Sequence, residues 1–84
     1  MGAVRITPEA QEQAEELPLI IKARLRKLVD RLAKWPDVSG AKRLSGELAG
    51  WYRLRTGDYR VRFRVEGEEV IIDKVGHRSD FYED

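Results

Sequence analysis

The chain has 84 residues, of which 42% are hydrophobic and 37% are charged, and its formal net charge is +1. This length and apolar content predict a single globular domain with a small core, and they exclude a wholly disordered chain. The sequence has no cysteine, one histidine, no apolar run of membrane length and no N-terminal export signal. We therefore expect a cytoplasmic protein that binds no membrane and carries no metal or cofactor.

The near-zero net charge conceals an uneven distribution of charge along the chain. Residues 41–65 contain seven Lys or Arg and two Asp or Glu, whereas residues 66–84 contain two Lys or Arg and seven Asp or Glu. The chain thus has a basic middle and an acidic end, which the net charge does not show.

A strand and a helix are the first predicted elements. Ala3–Thr7 is short, alternating and rich in β-branched residues, which is typical of a strand. Thr7 is a suitable N-cap for the helix that follows, with Pro8 at its first position. This helix is expected to end near Leu17–Pro18.

A longer second helix is predicted from Leu17 to Trp35. Its apolar residues recur at helical spacing with basic residues between them: Leu17, Ile21, Leu25, Leu28, Leu32 and Trp35. Pro36 ends the pattern, and the glycine- and serine-containing stretch 36–50 is predicted to be a loop.

Three strands are predicted in the C-terminal half, at Trp51–Arg55, Tyr59–Glu66 and Glu69–Val75. They are separated by the short turn sequences TGD and GE, which are typical of tight hairpins. The element order β-α-α-β-β-β predicts an α+β fold in which a small antiparallel sheet carries both helices on one face.

Alternation along the first two of these strands predicts a face made largely of arginine. Tyr52, Leu54, Val61, Phe63 and Val65 are expected to face the helices. The opposite face then carries Arg53, Arg55, Arg60, Arg62 and Arg64. Like charges on neighbouring strands destabilise a sheet, and guanidinium groups bind phosphates and stack on bases, so a nucleic-acid partner is one interpretation. The other is a solvated face whose arginines pair with Glu66, Glu68 or Asp73.

The segment from Arg43 to Tyr82, RLSGELAGWYRLRTGDYRVRFRVEGEEVIIDKVGHRSDFY, resembles the RelE/ParE toxin superfamily of type II toxin–antitoxin pairs. The resemblance implies a RelE-like fold for residues 1–84 as one domain. It also implies a ribosome-dependent endonuclease that cleaves mRNA in the A site and inhibits translation. In that metal-free reaction the 2′-hydroxyl of the substrate attacks the adjacent phosphate. The implied protein partner is a cognate antitoxin whose partly disordered segment wraps the toxin.

The same resemblance implies roles for single residues. Arg60 matches an arginine that stabilises the scissile phosphate, Arg78 one that acts at the leaving group, and Tyr82 a tyrosine that orients the nucleotide or stacks on it. Arg55 matches the position of the proposed base, which is lysine in well-studied RelE toxins. A guanidinium is a poor base, so His77, which can titrate near neutral pH, is a second hypothesis for the base or acid.

The remaining basic residues of the segment are interpreted as RNA contacts or as solvated charges. They are Lys42, Arg43, Arg53, Arg62 and Arg64. Two other functions stay open: a ParE-like inhibitor of DNA gyrase, and a non-catalytic homologue that only binds RNA or an antitoxin.

Overall fold

The structure is a computed structural model and describes residues 3–81. Its helices and strands are β1 (Val4–Ile6), α1 (Pro8–Glu15), α2 (Leu19–Leu32), β2 (Lys42–Arg43), β3 (Trp51–Thr56), β4 (Tyr59–Glu66) and β5 (Glu69–His77). Two single turns of 3₁₀ helix follow β2 and β5, namely η1 (Gly46–Leu48) and η2 (Arg78–Asp80).

The strands form one five-stranded sheet in the order β1-β5-β4-β3-β2. The predicted antiparallel meander of β3, β4 and β5 is confirmed, and so is the α+β class. The prediction that the whole sheet is antiparallel is wrong at one edge, where β1 pairs parallel with β5. The parallel pairing is possible because the connection between these two strands is long and includes both helices.

A short strand also lies where a loop was predicted. β2 pairs antiparallel with β3, with Lys42 opposite Arg53 and Arg43 opposite Tyr52. The two residues of β2 show no strand pattern in the sequence. The strand forms because it pairs with β3, which local propensity does not reveal.

Both helices begin and end close to the predicted positions for identifiable reasons. The Thr7 hydroxyl accepts a hydrogen bond from the Ala10 N–H at 3.2 Å, and Pro8 occupies the first helical position, so the predicted cap is confirmed. α2 buries Ile21 and the leucines at 25, 28 and 32 against the sheet. Neither described helix combines the length and the apolar character needed to cross a bilayer.

The core lies between the two helices and one face of the sheet. An aromatic cluster of Trp35, Tyr52 and Phe63 closes one end, with ring centroids 4.8 to 5.4 Å apart. Phe63 is fully buried, and Leu54 and Val61 are nearly so, as the strand alternation predicted. The opposite face of the sheet is therefore the one that carries the arginines.

Candidate functional site

The five predicted arginines share the face of the sheet that points away from the helices, which we call the arginine face. Register places Arg53 directly opposite Arg62 and Arg55 directly opposite Arg60. Arg64 lies opposite Trp51 on the same pair of strands. Directly opposed residues of an antiparallel pair project from the same face, so this set of side chains is confirmed as one group.

Two lysines extend one row of this face. Lys42 on β2 lies opposite Arg53, and Lys74 on β5 lies opposite Arg62, so a single row crosses four strands with four basic residues. Arg43 lies opposite Tyr52 and thus on the helix side, with its guanidinium carbon 6.0 Å from that ring centroid. The structure therefore separates Lys42 and Arg43, which the sequence places side by side.

A carboxylate inserted by a β-bulge compensates part of this charge. Arg62 lies opposite Lys74 but Phe63 lies opposite Ile72, so Asp73 is the additional residue. Arg62 donates from Nε to Asp73 Oδ1 at 3.0 Å and from Nη2 to Oδ2 at 2.7 Å. Both side chains are mostly buried, at 19% and 17% exposed. The predicted alternative of an internal ion pair thus applies to Arg62.

Arg64 also has an internal partner. Its Nε donates to Glu66 Oε2 at 2.6 Å. The indole of Trp51 lies against both guanidinium groups, with Arg62 and Arg64 each 5.2 Å from its ring centroid. We call Arg62 and Arg64, together with Trp51, Asp73 and Glu66, the compensated half of the arginine face.

Arg53 is the buried member of the arginine face, since it is only 8% exposed. Its strand, β3, lies between β2 and β4, so Lys42 and Arg62 flank it on either side.

The other half of the arginine face lies at the β3–β4 turn. Arg55 is exposed, and the opposed Arg60 is half-buried. The turn has two residues, and Gly57 adopts a φ of +59°, a conformation that glycine accommodates without strain. The backbone N–H of Arg78 donates to the carbonyl of Asp58 at 2.7 Å, which brings η2 to the same turn. Arg55 and Arg60, which are opposed across the two strands, and the backbone of Arg78 therefore lie at the same turn, and we call these three residues the turn cluster.

A fourth arginine near the turn comes from α2 and was missed by the sequence analysis. Arg24 Nη1 lies 3.4 Å from the position that a Cβ atom would occupy at Gly57. The sequence shows only that Arg24 belongs to the basic stripe of a helix. Its position beside the turn depends on how α2 packs on the sheet.

η2 folds back over the arginine face. Gly76 lies opposite Arg60, and a Cβ atom at Gly76 would lie 3.1 Å from Asp80 Oδ2. Lys74 Nζ donates to the carbonyl of Asp80 at 2.5 Å and lies 4.6 Å from the ring centroid of the buried Phe81. These contacts hold the segment after β5 beside Arg60.

His77 does not join the other candidates on the arginine face. Register places it opposite Tyr59, whose ring it meets edge to face at a centroid distance of 5.4 Å. This is the helix side of the sheet. Tyr82, the remaining candidate, lies outside the described residues.

The turn cluster has the chemistry to bind a phosphodiester and to stabilise negative charge that grows on it. Guanidinium groups remain protonated and donate several directed hydrogen bonds. Fixed cations around a reacting phosphate lower the barrier by favouring the more highly charged transition state. Among residues 3–81, no three His, Cys, Asp or Glu side chains are grouped so as to hold a metal ion.

Comparison with known proteins identifies relatives that cover nearly the whole chain. Residues 4–82 match the family described as "ParE toxin of type II toxin-antitoxin system, parDE". Toxin RelG of Mycobacterium tuberculosis is 37% identical over 82 residues, covering 94% of this chain and 93% of that protein.

Solved structures show the same fold. The RelBE2 toxin–antitoxin complex of Mycobacterium tuberculosis contains a chain with a TM-score of 0.80 and 30% identity, covering 92% of this chain and 98% of that one. The RelB–RelE antitoxin–toxin complex of Methanococcus jannaschii gives 0.78 at 21% identity, covering 94% and 95%. The α+β fold with two helices on a five-stranded sheet is therefore RelE-like. The chain belongs to the RelE/ParE family of toxins from type II toxin–antitoxin systems.

Proposed function

We propose that this protein is a ribosome-dependent endoribonuclease that cleaves mRNA in the A site and so inhibits translation. The observation that carries the proposal is the turn cluster, in which register and one backbone hydrogen bond bring Arg55, Arg60 and Arg78 together. The ribosomal substrate implies that the toxin acts in the cytoplasm.

The proposed reaction is an intramolecular phosphoryl transfer. The 2′-oxygen bonds to phosphorus as its proton leaves, and the bond from phosphorus to the 5′-oxygen breaks, giving a 2′,3′-cyclic phosphate and a 5′-hydroxyl. Arg60 binds the scissile phosphate, and Arg78 stabilises the charge that develops on the leaving oxygen, which takes up a proton. Arg55 stands where the base would act, and its cation stabilises the 2′-oxygen as the proton passes to solvent.

The exposed cations around the turn cluster are proposed to hold the RNA and ribosomal backbone. Lys42 and Arg43 are exposed and reach both sides of β2, so they suit this role. Arg53, Arg62 and Arg64 contribute to the same positive field, but the last two are already bound to carboxylates. Tyr82 is proposed, from the family resemblance, to orient the nucleotide.

A cognate antitoxin is the proposed protein partner. The solved relative at 30% identity belongs to RelBE2 of Mycobacterium tuberculosis, which is a toxin–antitoxin complex. An open groove of about 310 Å³ lies between the helices and β1, with Leu25, Val29 and Ile72 in its floor and Lys22 and Arg26 on its rim. Such a groove suits an amphipathic segment that carries acidic residues beside its apolar anchors.

Primer extension on a translated reporter mRNA tests the nuclease proposal. Induced expression should produce new 5′ ends within codons, and an Arg60→Ala/Arg78→Ala double variant should lose them. Arg26→Ala, which removes an exposed arginine of α2 away from the turn, is the matched control and should keep them.

Two other outcomes would each support a rival function. The matched family is named for ParE, so growth arrest without new 5′ ends, together with inhibition of gyrase supercoiling, would favour a ParE-like toxin. A chain that causes neither arrest nor cleavage would be a non-catalytic homologue that binds RNA or its antitoxin.

A further inference from the structure

The ring of His77 caps the short helix that begins with Arg78. Nδ1 of His77 accepts a hydrogen bond from the backbone N–H of Ser79 at 3.1 Å, and Ser79 Oγ lies 2.9 Å from the same nitrogen. His77 itself has an extended backbone, with φ −70° and ψ 150°, as an N-cap residue requires. The imidazole thus satisfies an N–H group that η2 would otherwise leave without a partner in the fold.

The position of the ring is fixed from a second side. Tyr59 packs edge to face against it with an interplanar angle of 86°. Tyr59 follows the β3–β4 turn directly, and the turn residue Asp58 accepts the backbone hydrogen bond of Arg78. Two contacts, the ring pair of Tyr59 with His77 and the backbone hydrogen bond of Arg78 itself, therefore tie the start of η2 to the turn.

We propose that His77 is a positioning residue that acts through Arg78, by capping η2 with a neutral imidazole, and that it does not transfer a proton to or from the RNA. This inference rests on the proposed function, because Arg78 has a task only if the turn cluster binds a phosphate. The register supports it, since His77 lies opposite Tyr59 on the helix side while Arg60 faces the other side.

The cap makes the position of Arg78 sensitive to pH. Nδ1 can accept the Ser79 N–H only when the ring is neutral with its proton on Nε2, so a second proton on the ring breaks this bond. The titratable side chains that line the cavity beside His77 are Glu16 from the end of α1, Tyr59 from β4, Lys74 from β5 and Asp80 from η2. Because a second proton on the ring removes the acceptor of the Ser79 N–H, cleavage should decrease at acidic pH.

Two substitutions at position 77 separate capping from proton transfer. Asparagine is among the best N-cap residues and cannot act as an acid or base near neutral pH, whereas alanine can do neither. In a cell-free translation system, His77→Ala should reduce the rate of mRNA cleavage by about five- to tenfold, the size expected for a lost cap. His77→Asn should recover most of that rate, and its cleavage should no longer decrease between about pH 8 and pH 5.5. Ser79→Ala removes the hydroxyl contact to Nδ1 but keeps the backbone N–H that the ring accepts, so it should retain most of the rate and the pH profile of wild type.

A second measurement needs no activity. In the ¹⁵N-labelled full chain, the amide resonance of Ser79 should shift with the protonation of His77, and the shift should be absent in His77→Asn. If wild type cleaves no mRNA but the Ser79 amide titrates, the proposed function fails and the cap is established. If wild type cleaves mRNA and His77→Asn is as impaired as His77→Ala, the positioning role is wrong and proton transfer by His77 is supported. A Ser79 amide that does not respond to pH also overturns the inference.

Discussion

The guanidinium of Arg62 and the carboxylate of Asp73 form a two-point ion pair, at 3.0 Å and 2.7 Å, on neighbouring strands of the arginine face. The pair exists because the bulge in β5 adds Asp73 between the core residue Ile72 and Lys74. Asp73 thus adds a carboxylate to the row of four basic residues that runs from Lys42 to Lys74. The pair belongs to the compensated half of the arginine face, and the turn cluster lies beside the β3–β4 turn.

Asp73→Asn should destabilise the fold by about 1–3 kcal/mol, because it removes the charge from the two-point partner of a mostly buried guanidinium. Urea unfolding of the purified chain, in an Arg60→Ala background that lets the protein accumulate, measures this difference. Glu66→Gln is the matched control, since it removes the partner of Arg64 at a site where the carboxylate is 58% exposed. That change should cost about 0–1 kcal/mol. Equal losses in the two variants would contradict the distinction between the pairs.

Strand alternation alone was sufficient to predict which arginines share a face. Successive side chains of a strand point to opposite faces, so burial of Val61 and Phe63 places the arginines between them on the other face. The same reasoning could not predict the division of that face. Asp73 reaches Arg62 only through a bulge, and Arg24 reaches the turn only through the packing of α2. Such features depend on contacts between elements, so the sequence named Asp73 and Glu66 as partners for the arginines but not which arginine each would bind.

The role of His77 illustrates the same limit at a single residue. Its titration range and the family resemblance both made a base or acid a reasonable hypothesis. Only the register shows that it lies opposite Tyr59 and away from Arg60. The sequence motif therefore placed His77 next to Arg78, and the register was needed to show which face of the sheet its side chain occupies.

The part of β5 that leads to the turn cluster is held at its edge by a side chain of α1, and the contribution of this contact can be measured. β1 pairs with β5 only as far as Ile72, and beyond it the Val75 N–H donates to Gln13 Oε1 at 2.9 Å. Gln13→Ala should destabilise the fold by about 1–3 kcal/mol, because the Val75 N–H loses its acceptor. Gln11→Ala, on the exposed side of the same helix, should have little effect. Hydrogen exchange should be faster at the Val75 amide in Gln13→Ala only, and unchanged exchange there would show that this bond does not close the edge.

Arg24 should contribute to binding of the ribosome because its guanidinium lies beside Gly57 at the turn. Arg24→Gln should weaken binding to mRNA-programmed 70S ribosomes and reduce the slope of log K against log salt by about 1, as expected for one lost phosphate contact. Arg26→Gln removes the same charge two residues away on the same helix and should leave the slope unchanged. The same slope change in both variants would mean that only the overall charge of α2 matters.

Arg55→Lys tests whether position 55 exchanges a proton with the 2′-hydroxyl. A guanidinium does not lose its proton in a protein, whereas a lysine amine can, and the opposed cation of Arg60 favours its neutral form. Arg55→Lys should therefore cleave mRNA about tenfold faster than wild type at alkaline pH, with a rate that rises as the amine loses its proton. Arg64→Lys makes the same exchange in the compensated half and should give no gain. If Arg55→Lys follows the wild-type rate at every pH, the proton of the 2′-hydroxyl leaves by a route that does not include position 55, and Arg55 acts through its charge alone.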